Sequence, residues 1–494
     1  MQTFSELAER YKVSAVRTKD ENLIGFLHLE DEKSKAVLSS KEFTNFTEDE
    51  NGWFDLELID QRGSLLLLHN SLFRSRTMPG LHGSQGSGFY TSEVFANVIV
   101  IGAQHLRSDR TLQSLSFQFE SCANFFVHDL IEWHSFHSTR NEVRASTLEA
   151  IRSNAWIRPK DVQQQNDIDD LSEIYILHKS RTYIDFVIED MRVKVWHGRS
   201  HRGSGWTGHE IRILPTVTIS FSKSITIDEA IERIWIVKSF FDQLSTSNLQ
   251  VTAISFSKFK KGWPSADIYL PHEASRTEKR NSHLHPSQIP YSTWKDRKKF
   301  AASFQRWLTL SHERRFFRSV VSLSIRRTER SSDDTLIPLL MAGIESLPEL
   351  SEATSIQKQT IKLMAKAAHE VAPEISETAI RSLIGAFRRT SPKRRLQKVA
   401  ETSFIIGDEN DIADLIKSAG VFRNKIAHGE WMSDPEHLAA GRIANVLAYL
   451  CIIYDLQTSG FPLGLNDPEA KRIIAHTKMN WAWQSYKLAD EGGV

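Results

Sequence analysis

The hydrophobic pattern of this chain changes period once, and that change decides what the chain can fold into. From about Asn22 to Leu270 apolar residues mostly recur at every second position, the period of a strand with one buried face. Beyond residue 292 they recur every 3.6 positions, the period of an amphipathic helix. The expected strands are FDLELID (54–60), EVFANVIVIG (93–102), LSFQFE (115–120), YIDFVIED (183–190), VKVWHG (193–198), IRILPTVTISF (211–221) and LQVTAISFSKF (249–259). Turn-forming clusters such as PGLHGSQGSG (79–88) and RSHRGSGWTG (199–208) separate them, which predicts a largely antiparallel sheet. One helix interrupts the region: TIDEAIERIWIVKSFFDQLS (226–245) sets Ile227, Ala230, Ile231, Ile234, Val237 and Phe241 at helical spacing behind Thr226 as N-cap. Residues 124–180 show no single period.

The stretch PHEASRTEKRNSHLHPSQIPYS (271–292) loses all periodicity and gathers Pro, Ser and charge, so it is expected to be a linker, with Pro271, Pro286 and Pro290 making it a semi-stiff hinge. Six helical stretches follow: 300–327, 335–347, 355–372, 392–404, 411–429 and 435–457, the last announced by Asp434-Pro435. The expected architecture is therefore α+β. A β-rich, antiparallel regulatory or sensor region spans 1–270, a linker 271–292, and an all-α bundle 293–494.

At 494 residues the chain is long enough for two to four domains. A formal charge of +1 leaves no global field for nucleic acid, so any polyanion site must be local. With two cysteines, Cys122 and Cys451, neither a disulfide framework nor a cysteine zinc site is expected, which fits a reducing cytoplasm. The N-terminus has no basic-then-apolar leader layout, and apolar runs such as Leu65 to Leu68 and Val446 to Tyr454 fall short of the roughly 20 residues that cross a bilayer.

One short stretch carries chemistry: VFRNKIAHGEW (421–431). Its Arg-x4-His spacing is not informative alone, since Arg192 with His197 and Arg280 with His285 repeat it. The first of those rivals lies on a strand and the second in the linker; Arg423 and His428 alone are helical. Taking Ile412 as origin and about 100° per residue, Leu415, Ile416, Ala419, Phe422 and Ile426 form a stripe roughly 120° wide that should be buried. Arg423 falls inside the stripe, so it needs an anion. Two fit: a carboxylate from a neighbouring helix, for which Glu345 in IPLLMAGIESL is the candidate, or a phosphate gripped by the guanidinium fork. His428 before Gly429 reads equally as a C-terminal capping histidine. Asn424 shares its face, whereas Arg423 diverges from His428 by about 140°. Two copies related by a twofold axis would bring two histidines to one groove.

RNKIAHG on the penultimate long helix of an all-helical C-terminal bundle resembles the Arg-x(4–6)-His signature of HEPN-domain ribonucleases. With Glu345 on an earlier helix and a sheet-rich N-terminal half, the whole chain resembles the ApeA-like antiphage HEPN proteins of abortive infection. The resemblance implies metal-independent RNA cleavage at a composite site of two HEPN domains, with no cofactor. The implied partners are an RNA substrate, tRNA among the candidates, a second copy or higher homo-oligomer, and a phage-derived trigger. In RNA the 2′-hydroxyl attacks its own phosphorus, which calls for a base, an acid and positive charge at the phosphorane. Two His428 side chains can serve as base and acid, since an ordinary imidazole titrates near pH ~6.5. Arg423 supplies the charge, with Glu345 orienting it, and Asn424 a positioning hydrogen bond.

Candidate RNA contacts are Lys425, about 100° from Asn424, and Arg388, Arg389, Lys393, Arg394 and Arg395 in FRRTSPKRRLQK (387–398). ERRFFRSVVSLSIRRTER (313–330) is a second basic run that either tracks phosphates or lines a solvated face. RSHRGSGWTGH (199–209) reads as a ligand loop or a hairpin tip. His128, His134 and His137 are weak as a metal set. A non-enzymatic alternative remains: a helical dimerisation and RNA- or nucleotide-binding module beneath a β domain that recognises a protein or carbohydrate. On the ribonuclease reading, residues 1–290 are expected to hold the helical part away from the productive dimer geometry until a ligand binds.

Overall fold

Strands β1 (Ser14–Arg17), β2 (Ile24–His28), β3 (Lys35–Ser40), β4 (Phe54–Asp60), β5 (Leu65–Thr77) and β6 (Tyr90–Ile101) close on themselves in the computed structural model. Their order is β1–β2–β3–β6–β5–β4 and back to β1, every pairing antiparallel. The structure describes residues 2–30, 33–40, 48–77, 90–105, 111–119, 132–135, 174–177, 182–203, 209–257, 265–274, 297–328, 333–350, 358–376, 378–380, 391–403, 409–461, 478 and 481–487. The period-two pattern is what closes this barrel. In β4 Phe54, Leu56, Leu58 and Asp60 all turn to the buried side. Asp60 tolerates burial because it accepts from Tyr11 Oη at 2.9 Å and from the Arg62 and Ser64 amides at 2.9 and 2.8 Å.

β6 is shared between two halves of one sheet. One edge pairs with β5, while the other pairs with β3 through Tyr90–Val94 and then with β14 (Ser265–Tyr269) through Ile99–Ile101. From β14 the sheet continues through β13 (Val251–Ser257), β7 (Leu112–Phe119), β12 (His209–Ile225), β11 (Met191–Gly203) and β10 (Thr182–Ile188), again antiparallel throughout. The seven expected strands are all present. Of the cluster at 199–209, Arg199–Gly203 lies on β11 and His209 on β12, paired in register at Gly203 and His209, and 204–208 lie outside the described residues. β8 (Glu132–Ser135) pairs with β9 (Ile174–Leu177) in a separate unit, residues 127–181.

Ten helices among the described residues are numbered in chain order. α1 (Phe4–Arg10) sets Phe4 edge-on to Tyr269 of β14. α2 (Ile227–Ser245) starts at Thr226 in a complete capping box with Glu229, as the sequence predicts. Its first turn is tied to the barrel by His69, whose Nδ1 lies 2.9 Å from Asp55 Oδ1 and Nε2 3.1 Å from Asp228 Oδ2. Burial opposes charge on this imidazole, but the Asp55 hydrogen bond and the Asp55 and Asp228 charges outweigh it and raise its pKa. α3 (Pro271–Ala274) occupies the start of the expected linker, and Pro271, Glu273 and Ala274 are buried there. Those four residues belong to the folded body; 275–292 lie outside the described residues.

The helical part contains α4 (Arg297–Thr309), α5 (Arg315–Thr328), α6 (Leu336–Glu345), α7 (Lys358–Val371), α8 (Pro392–Ser403), α9 (Glu409–His428) and α10 (Asp434–Thr458). The stretch 300–327 is two helices rather than one, because a turn at Leu310–Arg314 separates α4 from α5. The turn and the first residues of α5 bring Arg314 and Arg318 to Asp455, which is fully buried on α10. Arg318 Nε and Nη2 reach the two carboxylate oxygens at 2.7 and 3.0 Å, Arg314 Nη1 adds 2.8 Å, and Trp307 Nε1 donates at 3.0 Å. Burial raises the Asp455 pKa, but the Arg318 and Arg314 charges hold it below the ordinary carboxylate value. These two arginines of the basic run 313–330 are thus internal, and the idea that they track phosphates is corrected: the helix turns them inward to meet a buried anion.

α10 is the core helix of the bundle. It is long and apolar enough to cross a membrane, yet 67% of its most apolar stretch is buried inside the protein. Sheet and bundle also share a seam. Phe240 of α2 stacks on Phe304 of α4 at 4.2 Å, Trp307, Phe300 and Phe461 surround them, and Phe186 of β10 meets Phe304 edge-on at 5.4 Å.

Candidate functional site

The site is assembled where three helices end or begin. α9 buries Leu415, Ile416 and Ala419, as its stripe predicts, but Phe422 and Ile426 are only half-buried. Arg423 follows that trend: its side chain is 35% exposed rather than buried, which corrects the expectation. The stripe identifies the face that meets the bundle, and the helix simply outruns its neighbours. Glu345, the last residue of α6, is the partner: Arg423 Nη2 donates to its Oε1 at 3.0 Å. This is one contact of a five-donor group, and no other partner of Arg423 occurs among the described residues.

Glu345 is also held from behind. Its backbone carbonyl, at the C-terminus of α6, accepts from Arg395 Nη1 of α8. A guanidinium at a helix C-terminus meets the negative end of the dipole. Arg395 is 8% exposed, so its expected RNA contact is corrected: its place on the buried face of α8, with Leu396 and Val399, turns it into the bundle. Lys393 and Arg394 are exposed on the same helix, and Arg388 and Arg389 lie outside the described residues.

The end of α9 is a built turn. Gly429 has φ +66°, the Glu430 amide reaches back to Lys425 O at 2.9 Å and the Gly429 amide to Ile426 O at 3.2 Å. That pair of bonds is a Schellman motif, and it explains the glycine, since a side chain is strained at that φ. His428 is the last helical residue and is exposed; Asn424, one turn earlier, is exposed on the same face. Lys425 is committed elsewhere: its Nζ lies 2.6 Å from Glu436 Oε1. Glu436 in turn caps α10, its Oε2 accepting from the Ser433 amide at 2.9 Å and hydroxyl at 3.0 Å. The Lys425 hydrogen bond, with those from Ser433, lowers the Glu436 pKa to about 2. The helix therefore begins one residue before the Asp434-Pro435 signal, on Ser433 as N-cap.

Chemically, the surface offers a half-exposed guanidinium with unengaged N–H groups, an amide and an imidazole. The lysine beside them is neutralised. The decoy Arg192 is paired with Asp185 at 2.6 Å across the β10–β11 hairpin. Among the described residues no group of three or more His, Cys, Asp or Glu is placed to hold a metal ion; His128 and His137 lie outside them. The sequence missed the dual use of Glu345, through its side chain for α9 and its carbonyl for α8, because a backbone acceptor leaves no residue-type signal. No protein-family model, no curated protein and no solved structure matches this chain.

Proposed function

We propose that the chain is a metal-independent endoribonuclease of the HEPN type, with Arg423, Asn424 and His428 as its working residues, Glu345 as the group that orients Arg423, and the sheet-rich half as its regulatory region. The observation that carries this reading is the state of Arg423. One N–H is accepted by Glu345 and the other donors of this five-donor group have no partner among the described residues, which leaves them for a phosphate. The exposed His428 and Asn424 stand on the same last turns of α9. On this reading the substrate 2′-oxygen bonds to its own phosphorus as one imidazole takes its proton, the P–O5′ bond breaks as the imidazole of the other copy protonates the departing 5′-oxygen, a 2′,3′-cyclic phosphate and a 5′-hydroxyl result, and the guanidinium balances charge on the phosphorane. A role in abortive antiphage defence is part of the same proposal.

The experiment is to incubate the purified chain with total RNA in excess EDTA and to analyse the product ends. His428→Ala is expected to abolish cleavage while changing stability by less than about 1 kcal/mol, because an exposed helix-terminal side chain contributes little. Cleavage by the folded variant, a requirement for Mg²⁺, or cleavage of a 2′-deoxy linkage would overturn the mechanism. A second reading, a non-catalytic dimerisation and RNA-binding module, is favoured by the two carboxylates already on Arg423 and Lys425 and by the capping position of His428. It predicts RNA binding without product.

A further inference from the structure

The outer wall of the barrel is recessed where α3 lies against β6, and the recess measures about 190 Å³. Leu72 of β5 and Phe95 of β6, directly opposed across the two strands, line it, and Asn97 stands on the same outward face as Phe95. Trp53 lines it from the turn before β4, and Pro271 and His272 from α3. The His272 ring lies 6.2 Å from that of Trp235, so α2 adjoins the same corner. An outward strand face is ordinarily polar, yet Leu72 is 39% exposed, and Phe95 and Trp53 are only half-buried.

The recess is built in advance of any occupant. The Trp53 amide donates to Asp49 Oδ1 at 2.8 Å, its carbonyl accepts from the Asp49 amide at 2.7 Å, and Gly52 makes the turn between them at φ +79°. Pro271 is buried, which anchors α3. Two polar groups in this frame remain unengaged: neither the Trp53 indole N–H nor the Asn97 carboxamide has a hydrogen-bond partner among the described residues.

The lining selects the occupant by charge and by size. Among the described residues no Lys, Arg, Asp or Glu lines the recess, so an ion entering it would shed water without meeting a counter-charge. His272 is the one titratable group there, and Glu273 Oε1, 3.6 Å from its Nε2, balances any charge the ring takes up. A cavity of about 150 Å³ holds one benzene ring, whereas drug-sized ligands fill about 300–1,000 Å³. Aromatic walls favour a flat ring, and an indole N–H beside a carboxamide calls for acceptor and donor groups on its edge.

We propose that the recess binds an uncharged, planar nitrogen heterocycle of one or two fused rings, held through its faces by Trp53 and Phe95 and through its edge by Asn97. This goes beyond the ribonuclease reading and does not rest on it. Such a ligand joins the barrel wall to α3, the element that follows the last strand of the sheet.

The test is isothermal titration calorimetry of the full chain with adenine and with benzimidazole as probes. Binding of at least one is expected, and AMP should bind no more tightly than adenine, because no cation lines the recess to meet its phosphate. Asn97→Ala, at an exposed position where truncation leaves the fold intact, is expected to raise Kd about fivefold through a lost hydrogen bond. Trp53→Ala should raise it about tenfold, and Trp53→Phe, which keeps a ring but loses the N–H, should weaken binding less. A parent protein that binds neither probe overturns the proposal. An unchanged Kd in either Asn97→Ala or Trp53→Ala also overturns it, by placing the ligand elsewhere, and the Asn97 variant decides if Trp53→Ala does not fold. Binding of AMP about tenfold tighter than adenine overturns it too, because the site would then select an anion.

Discussion

Arg423 and Asp455 show how far burial changes the meaning of an ion pair. The Arg423–Glu345 pair is about a third exposed on both sides, so water screens it and its net contribution to stability is on the order of 0–1 kcal/mol. Asp455 is fully buried between Arg314 and Arg318; removing it leaves buried Arg318 without its paired carboxylate, while Arg314 keeps Glu349, and a broken buried pair of this kind costs about 3–5 kcal/mol. Arg423→Ala should therefore leave the denaturation midpoint close to that of the parent while abolishing cleavage, and Asp455→Ala should lower it severely. Equal losses in chemical denaturation would mean that the Arg423 pair is structural. The sequence revealed the partner of Arg423, because Glu345 is the one carboxylate inside an otherwise apolar helical stretch. It could not reveal the exposure, which depends on where neighbouring helices stop. Asp455 gave no signal in sequence, since a lone acid in LCIIYDLQ shows its need for a cation only when α4 and α5 pack their Trp307, Arg314 and Arg318 region against α10.

At the scale of elements, strands with strict alternation were legible, whereas the short ones and the thirteen-residue β5, which opens on the unbroken apolar run Leu65–Leu68, were not. β4 runs over FDLELID as the period predicts, whereas β1, β2 and β3 are too short to establish a period, yet they close the barrel. Closure leaves β2 tight against β3: a Cβ on Gly25 would collide with the Val37 carbonyl, so glycine is needed there for space. The join between barrel and α2 depends on the charge of His69. Its folded pKa lies above the unfolded value, so its stabilising effect is complete below about pH 6.5 and is lost as pH rises through the folded pKa. The difference in Tm between the parent and His69→Gln should accordingly be largest in mildly acidic buffer and shrink as pH rises above that range. A difference independent of pH from 5 to 9 would mean that the two carboxylates hold a neutral ring and that charge contributes nothing to the clamp.

For the whole molecule, the change of period at 271–292 suggested two parts joined by a hinge; strands do give way to helices there, but residues 1–126 and 182–494 form one compact unit. What periodicity cannot show is that Phe240 and Phe241 in α2 face Phe300, Phe304 and Trp307 in α4, because a stripe tells that a face is buried and not by what. If the sheet-rich half regulates the bundle as proposed, it has a direct packed route into the bundle besides the connecting segment. Two consequences follow for experiment. The bundle expressed alone from residue 293 would expose this aromatic seam to water, so it should be poorly soluble, and its inactivity would say nothing about catalysis. In the full chain Phe240→Ala opens a cavity at the seam, worth about 3–5 kcal/mol for a buried phenylalanine. If the seam couples the halves, hydrogen exchange followed by mass spectrometry should speed up in peptides from both β10–β13 and α4–α10. Faster exchange confined to α2 and its immediate sheet neighbours would show that the halves open independently, and control of the bundle would then have to pass through the connecting segment.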